Sequence, residues 1–320
     1  MSSRESFEIG YRSDSSEITQ LSHEHAKEGR IWKFALKSER DEGVFEMGSF
    51  LRDCDEIGQQ RHDICVSTMA GCPLKCTMCA IPYSLQPFQR RLTRDEIFEQ
   101  VRIAIKKRSE VNGRDNMSHT IGFMGNGEPF ANLEEVAAAA QLLLESAERS
   151  EFRLRSMTIS TTGVRSDLIS GLAQHAYGTS GIGKIQYSLM SMAPARRQAL
   201  IPVGGSLSEC SSRLDAYAAQ TGNPVKYNIA LINGMNDSAN EAALFAEFIG
   251  QAPHLRRAKI STFNPFPGVS FAPSSPERIQ AFIQRLLDEG IEIKQFFGDI
   301  DEKVFASCGQ LRARIETLLE

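Results

Sequence analysis

The stretch that decides the fold is a short apolar strand that runs into a cysteine-rich loop. The chain reads Ile64-Cys65-Val66-Ser67-Thr68 and, four residues later, Cys72-Pro73-Leu74-Lys75-Cys76-Thr77-Met78-Cys79. Thiolates are soft ligands that suit iron–sulfur clusters, and the spacing C-x3-C-x2-C puts three of them on one loop. Three thiolates can hold three irons of a [4Fe–4S] cluster and leave the fourth iron open to the amino and carboxylate groups of S-adenosylmethionine (SAM). One-electron cleavage of SAM then gives a 5′-deoxyadenosyl radical, so the spacing favours a radical enzyme.

The same cysteines are also compatible with a zinc site. Structural zinc takes four ligands, and Cys54, His62 or Cys65 can supply the fourth. A third interpretation is a group of buried thiols without a metal. The spacing alone leaves these alternatives open.

The composition is that of an ordinary globular protein. Of the 320 residues, 41% are hydrophobic and 24% are charged, and the net charge is −4. This balance differs from that of a dedicated, basic nucleic-acid-binding domain. Seven cysteines without a secretory signal indicate a reducing compartment, where cysteines serve as ligands or catalysts. No apolar run is long enough to cross a bilayer, and we expect a cytoplasmic protein.

Short apolar strands alternate with longer helical patterns from residue 63 onward. The expected strands are Ile64–Thr68, Thr120–Met124, Ser156–Ser160, Ile185–Leu189, Val225–Leu231, Lys259–Phe263 and Ile291–Phe296. Capping signals mark the helix starts between them, in the pairs Thr93 with Glu96, Asn132 with Glu135 and Ser238 with Glu241, and in Ser275-Pro276. Repeated β–α units predict an α/β fold with a parallel sheet, and about six units predict a partial, TIM-like (β/α)6 barrel.

Three segments are expected along the chain. A mobile tail is predicted over residues 1–29, which are rich in Ser and Glu. A small β-hairpin extension is predicted over 30–62, with its turn at Asp41-Glu42-Gly43. The partial barrel is predicted over 63–320 and ends in a segment that carries a candidate catalytic cysteine, Cys308.

Polar and glycine-rich motifs follow successive strands, where active residues of such folds collect. Gly125-Asn126-Gly127-Glu128-Pro129 follows the second strand, and Glu128 can accept hydrogen bonds from the SAM amino group. Ser160-Thr161-Thr162-Gly163 follows the third strand, and Asn264-Pro265-Phe266-Pro267-Gly268 follows the sixth. Each is also compatible with an ordinary turn or cap. Near the end, Ser307-Cys308-Gly309-Gln310-Leu311 sets Cys308 between small residues, which favours an accessible, reactive thiol.

Taken together, these motifs resemble the RlmN/Cfr family of radical SAM RNA methyltransferases, which methylate adenine ring carbons. The resemblance is carried by Cys65 to Cys79, Phe123–Pro129, Asn264–Gly268 and Ser307–Leu311, with support from Met157–Gly163 and Asn236-Asp237-Ser238. The cluster spacing is shared by many radical SAM enzymes. The combination of Cys65, the cysteine triplet and a late Ser-Cys-Gly-Gln-Leu is specific to this family.

The resemblance implies a role for each matching residue. Cys72, Cys76 and Cys79 would hold the [4Fe–4S] cluster. The SAM pocket would be lined by Gly127, Glu128, Ser160, Ser188, Leu189, Met190 and Asn264. Cys308 would carry the methyl group as S-methylcysteine, Cys65 would resolve the covalent adduct through a transient disulfide, and Glu46 would accept a proton. The implied partners are an RNA substrate (rRNA or tRNA) and an electron donor such as flavodoxin or ferredoxin.

Two departures from the family pattern leave a second hypothesis open. Only 64 residues precede Cys65, so we expect most of the family's helical N-terminal domain to be missing. The family's Ser-Leu-His is here Ser188-Leu189-Met190, which replaces a histidine donor with a thioether. These departures are compatible with the same methyl-transfer chemistry on a non-RNA small molecule or peptide. A zinc-stabilised RNA-binding protein without catalysis is a third hypothesis.

Metal analysis separates the cluster from zinc. Anaerobically prepared protein is expected to hold about four irons and four sulfides per chain, because the cysteine spacing and an open iron suit a [4Fe–4S] cluster. The Cys76→Ala variant is expected to lose iron and sulfide together, whereas Cys210→Ala is the matched thiol control and keeps both. One zinc per chain without sulfide would overturn the radical interpretation.

Overall fold

Antiparallel strands precede parallel ones along this chain. The computed structural model describes residues 18–26, 30–41, 43–54, 60–85, 87–112 and 117–296. These residues fall into two units, one formed by 18–73 and 83–158 and the other by 74–82 and 159–296. The three segments predicted from the sequence remain a prediction.

The first unit combines a twisted sheet with two helices. Its elements are β1 (Ile18–Ala26), β2 (Ile31–Ser38), β3 (Val44–Cys54), β4 (Gln60–Val66), β5 (Met69–Gly71), β6 (Phe88–Arg91), α1 (Arg94–Asn112), β7 (Met117–Phe123), α2 (Leu133–Glu148) and the first part of β8 (Arg153–Thr161). The strand order is β1-β2-β3-β4-β7, and β8 follows β7. Neighbours from β1 to β4 are antiparallel, whereas β4 and β7 are parallel. Strand β4 therefore joins the antiparallel extension to the β–α units.

Strands β2 and β3 form a hairpin within the range of the predicted β extension, and a further strand pairs with β2. Strands β2 and β3 pair from Ile31↔Phe50 to Lys37↔Val44. Strand β1 pairs with β2 as an edge strand, although Ile18–Ala26 lies in the range for which the sequence predicts a mobile tail. Edge strands pair through their backbone and are often polar, so the lack of apolar periodicity there did not reveal a strand. The remaining tail residues, 1–17 and 27–29, lie outside the described residues.

The second unit repeats strands and helices. Its elements are the end of β8, α3 (Ile169–Gln174), α4 (Ala176–Thr179), β9 (Gly183–Ser188), α5 (Pro194–Leu200), α6 (Leu207–Thr221), β10 (Val225–Leu231), α7 (Ala239–Gly250), β11 (Arg256–Thr262), α8 (Pro276–Asp288) and β12 (Ile293–Phe296). Strands β9 to β12 are parallel neighbours in chain order. Every strand predicted from residue 64 onward overlaps an observed strand, because buried β-branched and aromatic runs form strands in both units.

The helix caps are confirmed where the signal is local. Thr93 and Glu96 form the predicted capping box, since the Thr93 amide donates to Glu96 Oε2 (2.9 Å) and the Glu96 amide donates to Thr93 Oγ1 (3.3 Å). Ser275 accepts from the Arg278 amide at the start of α8. Ser238 accepts from the Glu241 amide, but Glu241 itself accepts from the Met192 amide.

The predicted cap at Asn132 is wrong. Its side chain makes no capping bond to α2 and instead donates to the carbonyls of Thr68 and Leu92, both at 2.9 Å. A short 3-10 turn, Pro129–Asn132, leads directly into α2, and Glu128 caps that turn. Asn132 thus satisfies buried carbonyls of a distant segment, which no local pattern could reveal.

A buried polar network lies between the sheet of the first unit and α1. His62 Nδ1 lies 3.0 Å from His119 Nδ1, and His62 Nε2 lies 2.8 Å from Ser49 Oγ. Arg108 donates from Nε to Ser49 Oγ (2.9 Å), and its guanidinium stacks 3.6 Å from the centre of the Trp32 ring. Burial disfavours charge on imidazole, so the pKa of His62 lies well below its usual value and that of His119 falls to about 4.

No helix among the described residues is both long and apolar enough to span a membrane.

The buried histidine pair predicts acid sensitivity. Unfolded histidines titrate near pH 6.5, so between pH 6.5 and 4 the unfolded chain binds more protons than the folded one. The free energy of unfolding is therefore greatest above pH 6.5 and falls as the pH is lowered. His119, with a pKa of about 4, alone accounts for roughly 2 kcal/mol between pH 7 and 5. Urea unfolding followed by circular dichroism measures the slope.

The matched control is His254→Gln, because His254 is exposed. His119→Asn is expected to reduce the slope whatever its effect on stability at pH 7. A wild-type free energy of unfolding that stays constant from pH 7 to 5 would contradict the prediction.

Candidate active site

Cys72, the first of the three candidate cluster cysteines, directly follows β5 in the first unit. Strands β5 and β6 pair antiparallel, and the Cys72 amide donates to the Pro87 carbonyl at 2.7 Å. Cys72 is half-buried. The hairpin therefore fixes the backbone where the cysteine loop begins.

The other two cysteines belong to the second unit. Thr77 anchors their loop to the end of α5, since its amide donates to the Leu200 carbonyl (3.0 Å) and its hydroxyl to the Ala199 carbonyl (2.9 Å). The Cys79 amide donates to the Cys76 carbonyl at 3.1 Å, which forms a tight turn between the two thiols. Cys76 is buried and Cys79 is half-buried.

His62, one of the sequence candidates for a fourth zinc ligand, lies in the buried polar network of the first unit. His62 lies on the face of β4 opposite to Cys65, because residues an odd number apart in a strand point to opposite faces. It is also engaged by Ser49 and His119. Within the described ranges, no three Cys, His, Asp or Glu side chains are grouped closely enough for a metal ion. The cluster assignment therefore rests on spacing and on an all-thiol donor set, which fits iron–sulfur chemistry.

The glycine-rich loop after β7 packs on the chain that follows β4. The Asn126 carbonyl accepts from the amides of Thr68 (2.8 Å) and Met69 (3.1 Å). Gly127 has a φ of +105°, and a Cβ there would come within 2.7 Å of both Met69 Cγ and Thr68 Oγ1. Only glycine fits this close approach, and the loop presents backbone rather than side chains.

Glu128 is almost fully buried at the end of this loop. Its Oε1 accepts from the Phe130 amide (3.1 Å) and so caps the following 3-10 turn. This bond fixes the orientation of the carboxylate. A buried, oriented carboxylate is the kind of acceptor that the amino group of SAM requires.

The candidate catalytic side chains of the first unit share one face of its sheet. Cys65 is half-exposed in β4, whose even-numbered neighbours His62, Ile64 and Val66 are buried. Cys65 lies opposite Gly48 in β3 and opposite Gly122 in β7. Glu46, two residues before Gly48, is on the same face and is fully buried. Cys308 lies outside the described residues.

The candidate SAM residues of the second unit lie at strand ends. Ser160 is the second-last residue of β8 and accepts from Gln186 Nε2 (3.3 Å), and Ser188 is the last residue of β9. Asn264 is half-buried, two residues after β11. The carboxyl ends of parallel strands meet at one edge of a sheet, where such folds bind ligands.

Leu189 and Met190 differ from the others because their side chains are buried. The amides of both donate to the Asn228 carbonyl, and Asn236 Nδ2 donates to the Met190 carbonyl at 2.6 Å. Met190 has a φ of +62°, an uncommon conformation for a side-chain-bearing residue. The bonds from Asn236 and to Asn228 hold this turn in place.

Sequence reasoning missed a polar face in the second unit. Lys259 Nζ donates to Gln186 Oε1 (2.7 Å), and Ser261 Oγ donates to Asn228 Oδ1 (3.2 Å). Asn228 lies opposite both Ser188 and Lys259 in the sheet. The period-two alternation of polar residues with Ile185, Tyr187, Tyr227, Ile229, Ala258 and Ile260 was the available signal.

Comparisons with known proteins agree with this geometry. No protein-family model matches the chain. A solved structure, a radical SAM methyltransferase from Sphaerobacter thermophilus, is similar with a TM-score of 0.80 and 27% identity, over 92% of this chain and 81% of that one. This similarity in fold and sequence defines the protein as a radical SAM methyltransferase. The predicted fold class, a partial (β/α)6 radical SAM barrel with an N-terminal β extension, is confirmed, and the cofactors of this class are a [4Fe–4S] cluster and SAM.

Curated relatives narrow the class further. A probable dual-specificity RNA methyltransferase RlmN from Chlorobium phaeobacteroides is 33% identical over 261 residues, which are 80% of this chain and 68% of the relative. The dual-specificity RNA methyltransferase RlmN of Magnetococcus marinus is 30% identical, with the same two coverages. The chain belongs to the RlmN family.

The close packing at Gly127 predicts that Gly127→Ala loses SAM affinity. Alanine at a positive φ costs roughly 1–2 kcal/mol, and its Cβ would also displace Met69 and Thr68. Gly181→Ala is the matched control, because Gly181 also has a positive φ (+74°), but a Cβ added there would meet no atom of the described residues within 4 Å beyond its chain neighbours. Equilibrium dialysis with SAM and urea unfolding measure the two effects. Equal SAM affinity in the two variants would refute a role for this loop.

Proposed function

We propose that this protein methylates an adenine ring carbon, C2 or C8, of RNA through an S-methylcysteine on Cys308. The observation that carries the proposal is the membership of the RlmN family, whose relatives are named as RNA methyltransferases. The half-exposed Cys65 on the face shared with Glu46 supports it. Ribosomal and transfer RNA are the proposed substrate classes.

The cofactor ligands follow from the motifs. Cys72, Cys76 and Cys79 would hold the cluster. SAM would contact Gly127, Glu128, Ser160, Ser188, Leu189, Met190 and Asn264. Because the side chains of Leu189 and Met190 are buried, their contribution would come from the backbone turn. When bound, the cluster and SAM supply a methyl group and the radical that removes a hydrogen atom from the Cys308 methyl.

Two thiols are required because an adenine ring carbon such as C2 is not nucleophilic. Cys308 carries the methyl group as a thioether. The carbon of that methyl group then forms a carbon–carbon bond to the adenine ring. Loss of one proton, and of one electron that would return to the cluster, then leaves an adduct that links RNA to the Cys308 sulfur. Glu46 is the proposed acceptor of the ring proton.

Cys65 completes the reaction by thiol exchange. Its thiolate attacks the Cys308 sulfur, so a disulfide forms and the bond between sulfur and the former methyl carbon breaks. The electron pair of that bond leaves with the nucleic acid, and a proton completes the methyl group. Reduction of the disulfide by cellular thiols restores the enzyme, which suits a cytoplasmic location. An electron donor such as flavodoxin or ferredoxin is the proposed partner.

The two cysteines have separable roles. Cys65→Ala is expected to accumulate a covalent protein–RNA adduct, because the thiol that releases the product is missing. Cys308→Ala is expected to give neither adduct nor methylated RNA. Denaturing gels with labelled RNA and mass spectrometry of nucleosides measure both outcomes, and Cys210→Ala is the control with a buried thiol outside the site.

Two outcomes would contradict the proposal. RNA nucleosides that are identical in wild-type and deletion cells would reject RNA as substrate and favour a small molecule or peptide. Active protein without a methyl group on Cys308, by mass spectrometry of the anaerobic enzyme, would reject the carrier role.

A further inference from the structure

A buried ion pair lies on the sheet face that carries Cys65. Lys33 Nζ is 3.1 Å from Glu46 Oε1, and the two side chains are 3% and 0% exposed. Burying two charges costs more free energy than a well-packed apolar pair of similar volume would. A buried pair at this place is therefore weak evidence for stability and calls for another explanation.

The strand register places this pair beside the candidate resolving thiol. Lys33 lies opposite Gly48, Gly48 lies opposite Cys65, and Cys65 lies opposite Gly122. Glu46 is the diagonal neighbour of Cys65 across β3 and β4, a relation in which Cβ atoms are about 7–8 Å apart. Lysine, carboxylate and thiol thus point from the same face of three adjacent strands.

Glycine at position 48 makes room for the Phe50 ring. A Cβ at Gly48 would lie 2.5 Å from Phe50 Cε2 and 3.5 Å from Lys33 Cδ. A side chain at this position would collide with the ring, whereas its Cβ would make an ordinary van der Waals contact with the lysine stem that reaches across to Glu46. The backbone of Glu46 is fixed as well, because Ser67 Oγ donates to the Glu46 carbonyl at 2.5 Å.

We infer that Lys33 is a positioning residue that keeps Glu46 ionised and aimed along the face it shares with Cys65. The inference rests on the proposed function, in which Glu46 accepts the proton that leaves the adenine ring. A carboxyl group can accept that proton only while it is ionised. In a fully buried position a carboxylate without a cation takes up a proton instead, and the acceptor would be blocked before the reaction began.

The test combines a spectroscopic measurement with methyl transfer. Infrared spectra are recorded for the holoenzyme without RNA, and the spectrum of the Glu46→Gln variant is subtracted. The difference spectrum reports whether the Glu46 carboxyl is ionised. Wild type and Lys33→Arg are expected to show a carboxylate at pH 7. Lys33→Met is expected to show a protonated carboxyl that disappears in the double variant Lys33→Met/Glu46→Gln.

The rate of methyl transfer to RNA is expected to be low in each variant that lacks an ionised Glu46 carboxylate. Lys33→Met should lower the rate about 100-fold, as Glu46→Gln does, and the double variant should be no slower than Glu46→Gln alone. Lys33→Arg should recover most of the rate because it restores the cation. Lys37→Met is the matched control, since Lys37 lies on the same strand and face.

The outcomes separate this inference from the proposed function. A Glu46 carboxylate in Lys33→Met, or losses that multiply in the double variant, would overturn the role of Lys33. A wild type that methylates no RNA would overturn the proposed function, while the infrared result would still decide the ion pair. If Lys33→Met does not fold, Lys33→Arg and the double variant carry the test.

Discussion

Strand β4 is bonded on one side by antiparallel β3 and on the other by parallel β7, and the first unit depends on this double pairing. The alternation of its side chains sends His62, Ile64 and Val66 to the face toward α1 and Cys65 to the opposite face, which also carries the buried Lys33 and Glu46. A shift of the register by one residue would exchange the two faces. Cys65 would then face α1, and the imidazole of His62 would lie on the face of the ion pair. The pairing of one strand thus fixes which residues are structural and which are available for chemistry.

The two faces of the sheet in the first unit accommodate buried polar groups in different ways. On the face toward α1, the histidines are neutral, and Arg108 donates to Ser49 and to backbone carbonyls, so each donor has an acceptor without a buried carboxylate. On the Cys65 face, charge is retained in Lys33 and Glu46. The first arrangement satisfies buried groups and holds a helix on a sheet. The second places a buried ion pair on the face that carries Cys65, and this difference is the basis of the functional interpretation that we propose.

The glycine-rich loop and the approach to the cysteine loop form one hydrogen-bonded assembly. The Asn126 carbonyl accepts the amides of Thr68 and of Met69, the first residue of β5, and the glycine conformation at 127 permits the contact. In the site that we propose, SAM would contact both the cluster and Glu128 at the end of the glycine-rich loop. A rigid link between the two chain segments in the first unit therefore supports cofactor binding.

The sequence by itself determined the features that depend on neighbouring residues: the seven strands predicted from residue 64 onward, the Thr93 capping box, the cysteine spacing and the motifs at strand ends. These follow from local hydrogen bonding and from the periodicity of apolar residues. Only the tertiary structure decided that Ile18–Ala26 is an edge strand, that Asn132 serves distant carbonyls, that Met190 is buried and that Lys33 reaches Glu46. Each of these depends on which strand or loop lies alongside in space. The backbone and side chains of that adjacent strand or loop supply the bonds that fix each residue, and its own neighbours in sequence do not.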